Sequence, residues 1–454
     1  LTLVALAAIA LAFLSVFGGS GAQPAGRRAA ARSSRALAGR LARARARAGA
    51  KPPARPAPPA FAAAPLTPAL HRLRSQVARD LASPGARWGA VVLDLRSRQL
   101  LVDVAGGVAR APASVEKLYT TVAALRLLGE NARFATRLLG SGHLGPGGVW
   151  HGNLYLRGGG DPTFGDGTFN RLYERGYGPT ATQLGRQLVA RGIRRVSGLL
   201  YGDESLLSTE RGGMLTHLKP DIPDLGGELS ALTYDHGQTT ARLGPAEFAA
   251  HEMAATLRVM GVRVSASPRT ARTPPDATEL GIVRSPPLRV LISLMNVPSD
   301  DLIAELLAEQ LGVRFGAAGT IQAGARVISR TIAQDYGLTP RILDGSGLDP
   351  ADRSSPLQIV QLLDELWQTP TGTLLRGSLP VVGRNGTVVS IAAHTAAVGR
   401  CQAKTGTLTD VSNLAGYCNA LGGRPLAFAI LVDGPPNYVA LAAIGRALGA
   451  IARW

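Results

Sequence analysis

Ala111-Pro112-Ala113-Ser114-Val115-Glu116-Lys117-Leu118-Tyr119-Thr120 places a serine hydroxyl three residues ahead of a lysine, just behind a proline. Positions i and i+3 are neighbours on a helix. If Pro112 and Ala113 lead into a helix starting near Ser114, Lys117 reaches the hydroxyl and the free amides of the first turn face a developing oxyanion. Ser114 is then a candidate nucleophile and Lys117 its base. The apolar run from Tyr119 to Leu128 extends that helix with a face dense enough to bury it and hold the serine rigidly. Taken alone, the same four residues also describe an exposed serine capping a helix. The rest of the chain decides between the two.

The chain has 454 residues, too many for one ordinary core, and length alone predicts two or three domains. Its formal charge of +18 resembles a nucleic-acid signature until the charges are placed. Arg27, Arg28, Arg32, Arg35, Arg40, Arg43, Arg45, Arg47, Lys51 and Arg55 all precede the first acid, Asp80. More than half of the excess thus lies in one tail. No zinc-finger spacing or aromatic-studded basic strand accompanies it, so nucleic acid is excluded as the expected partner. A basic Ala/Arg/Pro linker meeting a membrane surface or an anionic wall polymer accounts for the charge.

Residues 1–22 read as a signal peptide or membrane anchor. Leu1 to Phe17 is an uncharged apolar run, and Ser20-Gly21-Ala22 offers a small-residue cleavage site. Either form implies export, although no basic segment precedes the run and the arginine-rich tail lies on its usually translocated side. Residues 23–65 form a low-complexity, extended linker. Leu70, Leu73, Val77 and Leu81 then mark a helix, and Trp88–Leu95 with Gln99–Val104 mark a hairpin. Residues 141–284 change to short strands and glycine turns, and look like an insertion of domain size. Residues 66–140 and 285–454 make up the domain it interrupts. Leu288–Met295, the run from Leu302, Pro356–Leu366 and Val439–Trp454 read as helices, and three consecutive antiparallel strands lie between Cys401 and Val432.

Cys401 and Cys418 are the only cysteines. If residues 399–407 and 412–420 pair so that Lys404 faces Ala415, the two sulfurs face each other, and a cross-strand disulfide fits an oxidising compartment. Two buried free thiols are the alternative.

Three patterns now stand in order: Ser114-Val115-Glu116-Lys117, Ser299-Asp300-Asp301 and Lys404-Thr405-Gly406. Each is weak alone. Together, at two helix starts and on a sheet strand, they supply what an acyl-transfer cleft needs: a nucleophile, a proton shuttle and a cationic edge for a substrate carboxylate. The ordered trio resembles that of penicillin-binding proteins and class A β-lactamases. The flanking text is more specific. Leu156-Arg-Gly-Gly-Gly-Asp-Pro162, Ser285-Pro-Pro-Leu288, Asp344-Gly-Ser-Gly-Leu348, Ser378-Leu-Pro-Val381 and Ala403-Lys-Thr-Gly-Thr-Leu408 resemble, over residues 66–452, the S13 D-alanyl-D-alanine carboxypeptidase/endopeptidase family.

That resemblance implies an α+β fold, a penicillin-binding/serine β-lactamase-like domain whose antiparallel sheet is flanked by helices, with a large β-rich insertion between the first two motifs. It implies that peptidoglycan stem peptides and β-lactam antibiotics are the ligands and that no cofactor is needed. By role, Ser114 would be acylated while Lys117 takes its proton, and Ser299 would relay a proton to the leaving amine. Lys404, Thr405 and Thr407 would hold the substrate carboxylate beside Gly406, and the backbone N–H groups of Ser114 and Thr407 would form the oxyanion hole. Burial beside Lys404 would favour a neutral Lys117.

One position departs from the family pattern. Its second motif usually ends in asparagine, and here it ends in Asp301. A carboxylate cannot donate to the substrate carbonyl unless protonated, and ionised it would pair with Lys117 and keep it charged. Weak activity or mere peptidoglycan binding therefore stands beside the carboxypeptidase reading, as does a β-lactamase or esterase of the same superfamily. A Ser-His-Asp site built on Asp235-His236 or His394 lacks a nucleophile elbow, so those histidines are expected to be structural or exposed. The seven scattered histidines offer no metal cluster.

Overall fold

A computed structural model describes residues 55–83, 85–211, 227–240, 242–267 and 269–454. The expected signal peptide or anchor at 1–22, and the linker as far as residue 54, lie outside the described residues. The end of the linker is laid against the folded body. Arg55 pairs with Glu365 at 3.0 Å, and β1 (Ala62–Ala63) runs parallel to Gln99 and Leu100.

Thr67 caps α1 (Pro68–Leu81) by accepting the Leu70 N–H at 3.1 Å, and Leu70, Leu73, Val77 and Leu81 form its buried stripe. β2 (Arg87–Asp94) and β3 (Gln99–Val104) follow as a hairpin. A 3₁₀ turn, Ala113–Glu116, leads into α2 (Lys117–Leu128). The chain then leaves this body and builds β4 (Ala135–Gly145), β5 (Val149–Arg157), α3 (Gly167–Leu172), α4 (Ala181–Ala190), β6 (Arg195–Asp203), α5 (Pro245–Val259), β7 (Arg263–Ala266) and β8 (Thr278–Arg284). On its return it adds α6 (Leu288–Asn296), α7 (Asp301–Phe315), α8 (Ile321–Tyr336), α9 (Pro356–Leu366) and α10 (Pro370–Ser378). β9 (Cys401–Leu408), β10 (Val411–Asn419), β11 (Pro425–Asp433) and α11 (Asn437–Ala452) complete it.

The first sheet has the order β1-β3-β2-β11-β10-β9, so residues from both ends of the chain share it. Side chains alternate between its faces. Val91 and Leu93 pack with Leu118, Tyr119 and Val122 of α2, whereas Ala90 and Val92 pack under α1 and α11. Helices thus cover both faces, which is why β2 and β11 read as continuous apolar runs rather than alternating ones.

The second sheet, β7-β6-β5-β4-β8, has its own core. β5, β6 and β7 are parallel, joined through α4 and α5. The inserted stretch therefore carries α/β crossovers as well as the strands and turns expected from its composition. Helix α4 was hidden in the sequence by its length of 10 residues and by Gly185, where a side chain would lie 2.8 Å from the Met260 sulfur. Its first strand starts at Ala135, ahead of the expected boundary at 141. Entry and exit are locked together. Ser285 Oγ accepts the Phe134 N–H at 2.9 Å, and the Ser285 N–H donates to the Phe134 carbonyl at 2.8 Å. Among the described residues, no helix is long and apolar enough to cross a membrane.

Candidate active site

The nucleophile candidate does not open an α-helix. Ser114 sits in the 3₁₀ turn, after Ala113 at φ +47°, and the α-helix proper begins at Lys117. The neighbouring strand explains the tight turn. β9 passes so close that a side chain at Gly406 would lie 2.4 Å from the Pro112 carbonyl oxygen and 3.0 Å from the Val115 nitrogen. Gly406 is therefore the residue that lets this strand touch the serine turn. Asn413, opposite Gly406 on β10, fixes the turn to the sheet. Its amide donates to the carbonyls of Ala111 and Pro112, both at 2.9 Å, and its Oδ1 accepts the Val432 N–H at 3.1 Å.

Lys117 is fully buried. Its ammonium donates to Ser114 Oγ at 2.8 Å and to the Ser346 carbonyl at 2.8 Å, and forms an ion pair with Asp301. The counter-charge anticipated from the sequence is thus in contact with the lysine. Burial pushes the Asp301 carboxyl up to about 6, with the Lys117 charge and hydrogen bond pulling it back. On the other side of the cleft, Lys404 Nζ donates to Ser299 Oγ at 2.7 Å and to the Thr405 carbonyl at 3.0 Å. Burial first, and the charge of Lys117 second, hold Lys404 well below the ordinary lysine range. Lys404 is fully buried, so it meets the cleft through Ser299 rather than directly. The hydroxyls at the edge are those of Thr405, bonded to Thr387 Oγ1 at 2.7 Å, and Thr407.

Ser114, Ser299, Asp301, Thr405 and Thr407 line one cleft of about 400 Å³. A larger groove of about 840 Å³, lined by Arg87, Arg353 and Asp410 among others, adjoins it through Leu348. The chemistry marks the smaller space. Cys401 and Cys418 stand opposite each other on β9 and β10 and are joined by a disulfide, in the register that pairs Lys404 with Ala415.

Four features escaped the sequence reading. Asn413 is one. A second is the carboxylate layer behind Lys117, where Glu305 accepts the N–H groups of Gly345 and Ser346 and so aims the Ser346 carbonyl at the lysine. Its signal was available, because Asp301, Glu305 and Glu309 recur every fourth residue on a helix that is mostly apolar between them. Burial, reinforced by the charge of Asp344, pushes Glu305 well above the carboxylate range. Burial, with Asp352 and Asp344 adding to it, does the same to Glu116. Asp301 is the carboxylate in contact with the Lys117 ammonium. The third feature is Thr387. The fourth is His236, expected to be structural or exposed; it lines the cleft, with Nε2 2.8 Å from Asp300 Oδ2. No local sequence signal marks it, since it reaches the cleft from the insertion. His394 is exposed, as expected.

A family model described as the D-Ala-D-Ala carboxypeptidase 3 (S13) family matches residues 72–243 and 224–452. The chain belongs to this family. It is accordingly a serine-type D-Ala-D-Ala carboxypeptidase, a peptidase among the hydrolases. It is 27% identical over 454 residues to a D-alanyl-D-alanine carboxypeptidase of Actinomadura sp. (strain R39), covering 81% of each chain. It is 29% identical over 409 residues to carboxypeptidase DacB of Mycolicibacterium smegmatis, covering 84% of this chain and 85% of that one. Its fold is that of penicillin-binding protein 4 from Haemophilus influenzae, with a TM-score of 0.70 at 20% identity over 86% of this chain and 100% of the other. The two-faced sheet and its helices are thus the penicillin-binding/serine β-lactamase-like fold.

Proposed function

We propose that this S13 enzyme removes the terminal D-alanine of peptidoglycan stem peptides through an acyl-enzyme on Ser114. The observation that carries the reading is the 2.8 Å contact from Lys117 Nζ to Ser114 Oγ at the wall of a cleft shared with Ser299, Thr405 and Thr407. In the first step, Ser114 Oγ bonds to the carbonyl carbon of the penultimate D-Ala while its proton passes to Lys117. A lysine paired with a carboxylate is held in its protonated form, so acylation draws on the fraction of Lys117 that has lost its proton to solvent, and the ion pair with Asp301 keeps that fraction small. The backbone N–H groups of Ser114 and Thr407 receive the developing oxyanion, each such donor being worth about 3 kcal/mol. The oxyanion then reforms the carbonyl as the C–N bond breaks, and Ser299, hydrogen-bonded to Lys404, passes its proton to the leaving amine of D-Ala while the proton held by Lys117 replaces it. The hydroxyls of Thr405 and Thr407 hold the substrate carboxylate, with Lys404 behind them. Water then attacks the ester carbonyl and yields a proton to Lys117, which passes it to Ser114 Oγ as the ester C–O bond breaks, and the shortened peptide leaves.

A β-lactam would acylate the same serine, its ring amide standing for the scissile bond. A cross-linked dimer presents the same D-Ala carbonyl, so D,D-endopeptidase cleavage belongs to the same proposal. We place the work outside the cytoplasmic membrane, where stem peptides lie, with the basic segment before Arg55 touching membrane or anionic polymer. Residues 66–140 and 285–454 would form the catalytic domain and 141–284 the insertion, with the second sheet starting at Ala135. The test incubates the full chain and a Ser114→Ala variant with pentapeptide muropeptides and cross-linked dimers. Ser114-dependent release of D-Ala is expected; survival of both substrates with the unaltered chain would sink the reading.

A further inference from the structure

Among the described residues of the insertion, His236 lines the cleft, on a backbone that resists being so arranged. Asp235, His236 and Gly237 adopt φ values of +47°, +61° and +73° in succession. Two of these three are not glycine, and left-handed backbone in such residues is strained and persists only where the surroundings impose it. Here they do. Asp235 Oδ1 accepts the Asp166 N–H at 2.6 Å, the Asp235 N–H donates to the Phe164 carbonyl at 3.1 Å, and the Gly237 carbonyl accepts the Glu228 N–H at 2.8 Å. The turn delivers the imidazole of His236 to Asp300, Nε2 to Oδ2 at 2.8 Å, with side chains only 13% and 15% exposed.

Asp300 is the middle residue of Ser299-Asp300-Asp301, and every bond it makes fixes that motif. Its Oδ1 accepts the Ile303 N–H at 2.8 Å and caps α7, while its own N–H donates to the Met295 carbonyl at 2.7 Å. Its neighbour on one side, Ser299, is itself left-handed at φ +69° and holds Lys404. Its neighbour on the other side, Asp301, holds Lys117. A rotation of Asp300 would move both contacts at once.

We propose that His236 is a positioning residue for the reaction: by clamping the free oxygen of Asp300 it holds Ser299 and Asp301 in register with the two lysines. This inference rests on the acyl-enzyme reading above. His236 acts on the bond-making step through Asp300, and the insertion thereby becomes part of the catalytic apparatus.

The test measures acylation of the full chain by a fluorescent penicillin, separating the limiting acylation rate constant from the apparent affinity. His236→Ala is expected to lower the rate constant at least tenfold and leave the affinity within threefold. His236→Gln, whose amide can still donate to Asp300 Oδ2, is expected to recover to within threefold of the unaltered chain. Asp300→Ser keeps a helix cap but loses the oxygen that His236 holds. It should match His236→Ala, and the double variant should lose nothing further. Should the alanine variant melt below the assay temperature, the comparison of His236→Gln with Asp300→Ser decides: a fast glutamine variant beside a slow serine variant supports the clamp, and equal slowness overturns it. Unchanged acylation in His236→Ala, or losses that multiply in the double variant, also overturn it. Absence of Ser114-dependent labelling in the unaltered chain overturns the underlying reading and the clamp together, and so is distinguishable from failure of the clamp alone.

Discussion

Lys117 and Asp301 form a buried ion pair in the wall of the cleft, and the same ammonium contacts Ser114 Oγ at 2.8 Å. The base candidate therefore carries a counter-ion at the position where the family pattern has a neutral amide. A carboxylate there stabilises the protonated lysine, the form that cannot accept a proton. Asp301→Asn keeps an acceptor for Lys117 and removes the charge. Acylation by a fluorescent penicillin at pH 7 is expected to rise severalfold, because a carboxylate no longer holds the base in its protonated form. An unchanged or lower rate at pH 7 would show that Asp301 is not the brake.

Gly406 tests how closely the strand and the serine turn must meet. Its added methyl would lie 2.4 Å from the Pro112 oxygen, so Gly406→Ala forces the turn away from β9. A shift of about 1 Å at a nucleophile costs on the order of 100-fold in rate, while overpacking costs about 1–3 kcal/mol of stability. Acylation should therefore collapse in a chain that still unfolds cooperatively in urea. Wild-type acylation would refute the account of the close approach.

Asn413 should matter to both stability and rate. Asn413→Ala removes three bonds, from the Ala111 and Pro112 carbonyls and the Val432 N–H, although the Pro112 carbonyl keeps the Val115 N–H at 3.2 Å. Each group left without a partner costs about 1–3 kcal/mol, so urea unfolding should report a loss of about 2 kcal/mol or more. Acylation should fall at least tenfold as the serine turn loosens. A loss below about 1 kcal/mol would mean that the turn is held by other contacts.

Glu309 predicts how the fold responds to alkali. Its Oε1 accepts a bond from Ser208 at 2.7 Å, its other oxygen is buried without a partner, and burial pushes the carboxyl up to about 8. Because that value lies above the ordinary 4.5, the stability contribution is complete below the ordinary value and is lost as pH rises through about 8. The melting temperature should fall between pH 7 and pH 9.5. Glu309→Gln, which cannot ionise, should melt about 3 °C or more above the unaltered chain at pH 9.5. Identical slopes in the two chains would remove Glu309 as the cause; Asp352, pushed up to about 9 by burial and neighbouring carboxylates, adds to the same slope.

Much of this was legible because it is local. The Ser114 and Lys117 spacing, the Cys401 and Cys418 register, and the helices at Leu288 and Pro356 follow from periodicity, pairing and capping within a few residues. The tight 3₁₀ turn at Ser114 was not, because it is imposed by β9, which lies far along the chain. Asn413 and His236 were opaque for the same reason. Each is an ordinary residue in its own strand or turn, and acquires a role only when folding brings Pro112 or Asp300 to it. Glu305 lies between: its spacing from Asp301 was visible, but the loop amides it holds were not.

The paired bonds between Phe134 and Ser285 mean that the chain leaves and re-enters the catalytic body at a single stem. Such a stem lets the intervening sheet travel as one module with a core of its own. Its seam with the host is wider than the stem, because Leu207, Leu229 and Ala231 share a buried cluster with Leu302, Leu306 and Ile321, and Ser208 bonds to Glu309. Any replacement for the module therefore has to cover the same apolar side of α7 as well as return an imidazole to Asp300.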